Sequence, residues 1–523
     1  MITARGFVLI VLVCASLSCA AGIARTVTVF RESPRRDLTE KTDGSAEPTP
    51  VASLDNKSNK KNSNKNKEKE TPASPPEKSK NKNKEKKKGT DAPVETPKAP
   101  AKAPAKAPAK TPVDTPVDTP APDANATTNT GTTITADPSG RKVFDVTQFG
   151  AVANDDQKDN AQAFIKTWVE ACKNSAEPAK ILVPAGSFLV GPVVFQGPCK
   201  STKPIMIEVV GTIKGSTDIS EYPSPEWFSI EMVQGIIITG KGTFDGQGPK
   251  VWHYNDCKTN PDCQKLPASI KFSKCGNGLV EGITSLNAKW FHIFAFECKN
   301  FTFRDVKIIA PDESPNTDGI HLSSTTSVSI SNSKIGTGDD CIAIASDNHD
   351  VTITGVTCGP GHGISIGSLG KWPDDKSVTN IQVKNCTFDN TTNGARIKTW
   401  GGTNSGEVSG ITYDNIIMKN VKNPIVIDQN YGRANQPSKW KLDNIHFKNI
   451  KGTSISKVSV SLGCSSLFPC QGVELANIDL TYGGSKFQPG SKTDSVCENA
   501  KIIESGTLNP KPCSSPGKPI SQN

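Results

Sequence analysis

Outside its extreme N-terminus, the 523-residue chain has no apolar run that would span a bilayer, and it holds only 4 Met, 6 His and 6% aromatic residues. A helical membrane protein is thereby excluded, since a span needs about 20 apolar residues. Leu is too scarce for a leucine-rich repeat, and no Trp-Asp pair supplies the signature of a WD-type propeller. No Cys/His set has zinc-ligand spacing. Residues 36–137 contain no aromatic residue and few large aliphatics. Such a stretch cannot bury enough apolar surface to offset chain entropy. One large folded unit is therefore expected, from Lys142 onward.

The N-terminus reads as a secretory signal over residues 1–24, with Arg5, an apolar stretch Phe7–Leu17 and small residues Ser18–Gly22. A retained signal anchor is the alternative. Secretion agrees with the 15 Cys. Removing Cys14 and Cys19 with the leader leaves an odd number, so at least one thiol stays free. The net charge of +9 misleads, because 13 Lys and 4 Glu between residues 57 and 88 account for all of it. The part from Lys142 is close to neutral, so a nucleic-acid partner is not expected. Residues 25–141 are tail and linker: Lys98-Ala-Pro-Ala repeats run to Lys110, then Thr-Pro-Val-Asp occurs twice from Thr111. Regular Pro makes this a stiff, extended spacer with sites for O-glycosylation. Asn56, Asn125, Asn300, Asn385 and Asn390 open N-glycosylation triplets.

The folded unit begins with strand-like Val143–Val146 and Phe149–Val152, followed by one helix on which Ala161, Phe164, Ile165, Trp168, Val169 and Cys172 share a face. Helical periodicity then fades. Short β-branched runs recur at Phe301, Val328, Val351, Ile381, Ile411, Ile445 and Ile478, 23 to 34 residues apart. That period, with three short strands per turn, predicts an all-β, right-handed parallel β-helix over 142–523. Ile207–Ile213 and Gly235–Gly240 are expected in the same solenoid, and the helix is expected to cover its open end.

Unusual polar residues fall at similar phase on successive turns: Asp318, Asp339, Asp340, His362, Arg396, Lys398 and Tyr431. Turns stack one strand spacing apart, about 4.8 Å, so these side chains are expected on one patch. Clustered carboxylates cannot all ionise cheaply; one keeps its proton and can act as an acid while another polarises water. Arg396 and Lys398 alternate and so point to one face, where a pair of cations suits an acidic sugar. Taken singly, each of these residues also fits a merely structural role.

Four segments carry a resemblance: Ser314-Pro-Asn-Thr-Asp-Gly319, Gly336-Thr-Gly-Asp-Asp-Cys341, Gly359-Pro-Gly-His-Gly-Ile-Ser365 and Arg396-Ile-Lys398. Together they resemble the polygalacturonases of glycoside hydrolase family 28, over Val143 to Cys513. Gly361–Gly370 followed by Lys371-Trp-Pro-Asp-Asp-Lys, with the C-terminal cysteine pairs, is similar to plant, pollen-type exopolygalacturonases. The resemblance implies inverting hydrolysis of α-1,4 bonds in polygalacturonate. Asp339 is then the general acid, Asp318 and Asp340 activate water, and His362 tunes the acid or orients the sugar. Arg396 and Lys398 would bind a galacturonate carboxylate, while Tyr431 and Asn316 make further contacts. No metal or other cofactor is implied, and a secreted monomer acting on pectin in the cell wall is expected.

Cysteine pairing fits the same picture. Cys341–Cys358 would tie two catalytic turns together, although a buried free thiol is the alternative. Further pairs expected on the same resemblance are Cys172–Cys199, Cys257–Cys263, Cys464–Cys470 and Cys497–Cys513, leaving Cys275, Cys298 and Cys386 unassigned. The chain departs from the family at Gly432, where Cys often follows the tyrosine, and at Ile342–Ser346. The basic tail offers charge attraction to acidic wall polymer, or is a solvated spacer. Competing readings are an endopolygalacturonase, a pectate lyase, a rhamnogalacturonan hydrolase and a non-catalytic pectin-binding wall protein. The proton donor and the Arg-x-Lys pair favour polygalacturonate hydrolysis.

Overall fold

The computed structural model describes residues 137–513 and 517–520, apart from 258, 261, 403, 433 and 434. The leader, the tail up to 136 and the triplets at Asn56 and Asn125 lie outside the described residues. The described chain winds into a parallel β-helix, each strand pairing with its equivalent one turn on. One 11-stranded sheet runs from Val193–Gln196 to Asp494–Glu498, and a 21-stranded assembly forms the remaining faces. Its crossovers take the right-handed sense that parallel connections almost always adopt. The strands at Ile205–Val209 and Gln234–Thr239 belong to it, as expected.

Phe301, Val328, Val351, Ile381, Ile411 and Ile445 stack as register partners. Ile478 does not join them. Val473 pairs with Ile445, and Ile478 pairs with Ile450. The strand Lys439–Ser454 buries Ile445 and Phe447 and then Ile450, so the next turn repeats two similar motifs and spacing matched the second. The expected three strands per turn persist to Thr387–Asp389. Thereafter two strands merge into Ser405–Val421, which pairs with both Val378–Lys384 and Thr387–Asp389. Phe149–Val152 is not a strand: Val146–Phe149 forms a 3₁₀ turn capped by the Asp145 side chain and closed by Gly150 at φ 98°.

Asparagine recurs because the corners between strands need left-handed backbone, which its short polar side chain tolerates. Asn385 and Asn415 sit at φ 55° and 54°, and Asn415 Nδ2 donates to Asn385 Oδ1 at 2.7 Å. The helix Ala161–Trp168 continues as a wider turn over Val169–Asn174. Trp168 stacks on Phe195 at 4.7 Å and Phe164 meets Phe188 edge-on at 6.3 Å, so the helix covers the first turns of the solenoid. All five expected disulfides are present. Cys275, Cys298 and Cys386 are buried free thiols.

Candidate active site

Parallel register assembles the site. In the 11-stranded sheet Ile320, Ile342, Ile364, Ala395 and Ile425 are stacked partners. Asp318, Asp340, His362, Asn393 and Asn423 each lie two residues before one of them. A single column therefore presents these side chains on five successive turns. Asn393 and Asn423, which sequence phase did not single out, line the same cavity as His362. Asn423 Nδ2 donates to Asn393 Oδ1 at 3.0 Å, so they also brace the column.

The Asp339 carboxylate has three partners. Its Oδ1 accepts from the Asp340 backbone N–H at 2.8 Å and lies 2.9 Å from His362 Nδ1, while Asn316 Nδ2 donates to Oδ2 at 3.2 Å. Asn316 reaches it from a left-handed residue, φ 52°. The Cys341–Cys358 bridge fixes the segment that follows Asp340 to the one that precedes His362.

Asp340 is buried at 2% exposure and fully engaged. Ser365 Oγ donates to it at 2.7 Å, Arg396 Nη2 is bound to the same oxygen, and Lys398 Nζ donates to the other at 3.0 Å. Arg396 Nε also donates to Ser365 Oγ at 2.8 Å. The two cations do point to one face, as alternation implied, but they first neutralise Asp340. Lys398 Nζ lies 5.3 Å over the Tyr431 ring, and Tyr431 meets Trp400 edge-on at 5.4 Å.

Asp318 is held by a residue that the sequence reading did not single out. His321 Nδ1 lies 2.7 Å from Asp318 Oδ2, and the ring stacks on Phe291 at 4.1 Å. Burial lowers the His321 pKa to about 4, so the imidazole is neutral and orients Asp318 rather than neutralising it. The signal was present, since His321 stands two residues beyond Asp-Gly on an outward strand position.

The carboxylates divide as a cluster must. Burial, then the charges of Asp339 and Asp340, push Asp318 well above the usual carboxylate range. Burial also opposes ionisation of Asp340, but Arg396 and then Lys398 outweigh it and hold the group far down. For Asp339, burial is outweighed by the His362 hydrogen bond, and the carboxyl falls below its ordinary value. His362 moves the other way: burial lowers it, but the bond to Asp339 more than offsets this and raises it. Of the three carboxyls Asp318 is thus the one driven toward its protonated form, while His362 is driven toward its cation. The raised carboxyl is Asp318, whereas the resemblance makes Asp339 the acid.

Asp339, Asp340 and His362 bring one potential metal ligand each within 4.8 Å of one another. Their lone pairs are already engaged by Ser365, Arg396, Lys398 and by each other, and two cations adjoin. The donor set therefore fits an internally neutralised acid–base cluster better than a cation site.

These residues open onto a cavity of about 1280 Å³. Besides Asp339 and His362, its walls hold Lys371, Lys422 and Lys457, together with Arg396, Lys398 and Tyr431. Trp400 forms part of the wall, and Lys371 Nζ sits between it and Trp372, 5.2 and 5.0 Å from the two rings. Gly432 takes φ 72°, and a Cβ there would lie 2.1 Å from the Trp400 ring. The departure from Cys at this position is therefore a packing requirement of Trp400.

Comparison with known proteins agrees with this geometry. The chain is 45% identical over 380 residues to an exopolygalacturonase of Arabidopsis thaliana, covering 72% of this chain and 89% of that one. It is 42% identical over 373 residues to an exopolygalacturonase of Platanus acerifolia, covering 70% and 97%. A polygalacturonase structure from Erwinia carotovora superposes with TM-score 0.55 at 25% identity, covering 67% of this chain and 95% of that one. An endo-xylogalacturonan hydrolase from Aspergillus tubingensis shares the fold with TM-score 0.59 at 24% identity, covering 70% and 100%. The family model for glycosyl hydrolases family 28 matches residues 172–508, which hold the whole column from Asp318 to Asn423, and the chain belongs to that family.

Proposed function

We propose that the protein is a secreted polygalacturonase that hydrolyses α-1,4-galacturonosidic bonds of pectin, acting from chain ends and with inversion. The observation that carries this reading is a cavity walled by Lys371, Lys422, Lys457, Arg396 and Lys398 into which Asp339 and its partner His362 open. The names of the plant relatives support exo action. The leader supports secretion to the wall, where the 13 Lys of residues 57–88 would hold the tail against acidic polymer.

Asp339 gives its proton to the leaving glycosidic oxygen. For this the proton resting on Asp318 must move to Asp339, which leaves Asp318 ionised and able to take a proton from water. The two arrangements hold the same number of protons, and ionisation of one carboxyl favours protonation of its neighbour. His362, once protonated, stays on Asp339 and limits its basicity. Arg396 and Lys398 hold Asp340 ionised and present their remaining faces to a galacturonate carboxylate, with Tyr431 and Asn316 flanking the sugar.

The Asp339 and Asp340 ligand atoms lie within 4.8 Å, nearer the spacing of retaining pairs, about 5–5.5 Å. Asp340 is nonetheless a poor nucleophile, because both its oxygens are bound to cations. Water is therefore the attacking group, and inversion follows. Proton NMR of the first turnovers should show the β-anomer of the new reducing end. The α-anomer appearing first would reject single displacement.

Activity needs the site's two protons and an ionised base, so kcat/KM should be bell-shaped in pH. Below the optimum the Asp318–Asp339 pair takes up a further proton; above it the first proton is lost. An acidic optimum follows, and a rate still rising at about pH 9 would reject the acid assignment. Gly432→Ala should displace Trp400 from the wall, raising KM for oligogalacturonate several-fold with kcat little changed. An unchanged KM would remove Trp400 from the binding surface.

A further inference from the structure

The cavity is not centred on the catalytic carboxylates. Its walls begin at Asn316 and Asp339 and continue only toward later turns, ending at Lys457, Val458 and Ile520. Four successive strand pairings separate the strand after Asp340 from the one that begins at Val458. At one strand spacing per turn this is about 19 Å of groove on that side of Asp339, enough for several sugar units. On the other side stands the segment between Asp245 and Ala268, closed on itself by Cys257–Cys263.

That segment is fixed in place. Trp252 Nε1 donates to the Ala288 carbonyl at 3.0 Å, and Val251 and Leu266 pack with Ile219 against Trp252 and Trp290. Gln264 Nε2 donates to the Ile219 carbonyl at 2.9 Å. From this base Asn255 Nδ2 reaches Asn316 Oδ1 at 3.0 Å, and Asn316 in turn holds Asp339. The groove carries Lys371, Lys422 and Lys457, so a polyanion is attracted along that direction from Asp339.

We infer that this disulfide-closed loop, through Asn255, is the end wall of the groove, admitting one sugar unit past Asp339 and so confining hydrolysis to chain ends. The inference rests on the polygalacturonase reading and adds the element that sets the mode of action. Asn255 touches Asn316 rather than the reacting bond on this view, so it is a specificity-determining residue and not a catalytic one.

The test uses the full chain on de-esterified polygalacturonate and on hexagalacturonate, following reducing ends, viscosity and product length together. The wild type should release galacturonic acid alone, with viscosity barely falling. Two variants open the wall: replacement of residues 249–265 by a short Gly-Ser linker, and the milder Asn255→Gly. Di- and trigalacturonate among the first products, with a several-fold larger viscosity drop per bond cleaved, would support the wall. If Asn255→Gly and a folded, active loop variant both still release only monomer, the loop is not the wall. Early oligomers from the wild type would overturn the inference while leaving polygalacturonase activity intact. No new reducing ends from the wild type would instead overturn the parent reading, and the inference with it.

Discussion

Asp339→Asn is expected to lower kcat by about 10²–10⁴-fold, the contribution of a positioned proton donor. The amide keeps the shape and still accepts at Oδ1 from the Asp340 backbone and His362, so the fold of the segment should survive. What is lost is the acidic proton for the leaving oxygen. Binding of oligogalacturonate should stay within severalfold, because the cations lining the cavity are untouched. Calorimetric titration and single-turnover rates separate these two outcomes. Wild-type hydrolysis by the variant would show that another group, with Asp318 the first candidate, is the acid. Loss of binding in parallel with rate would mean that Asp339 holds substrate rather than protonates it.

Arg396→Ala should be the most destabilising single change in the site, by about 3–5 kcal/mol, because it leaves a buried carboxylate short of its partner. Asp340 and Arg396 are 3% and 5% exposed at their side chains, so water cannot replace the lost guanidinium. Lys398 remains at 3.0 Å and keeps the loss toward the lower end of that range. The sign of the pH effect follows. Asp340, held low in the folded state, stabilises the protein above its unfolded pKa, and that stability is lost as pH falls through the folded value. Without Arg396 the folded value rises, so the variant should lose stability at a higher pH than the wild type. Urea denaturation from neutral to acidic pH measures both effects. A second replacement, Asp340→Asn, should recover much of the loss; additive effects of the two would disprove the coupling.

Much of this was legible in the residues. The period from Phe301 to Ile445 encoded the stacked strands, because a solenoid repeats its inward-facing pattern at each turn and that pattern survives in one dimension. The register failed at Ile478, where one strand carries two similar apolar motifs and only the hydrogen-bonded ladder distinguishes them. Asp339, Asp340 and His362 were brought together as their phase implied, since parallel register carries sequence phase directly into space.

Sequence alone determined the solenoid class, the concentration of net positive charge in residues 57–88, and the patch that gathers Asp318, Asp339, Asp340 and His362. These depend on composition and period, which are local or repeating properties of the chain. The tertiary structure decided where charge resides. It placed Arg396 and Lys398 on Asp340, set His321 against Asp318, and held His362 within hydrogen-bond distance of Asp339. It also set a loop sealed by Cys257–Cys263 beside Asn316, at one end of the groove. Protonation and groove length depend on burial and on distances between turns far apart in the chain, and neither is fixed until the coils stack.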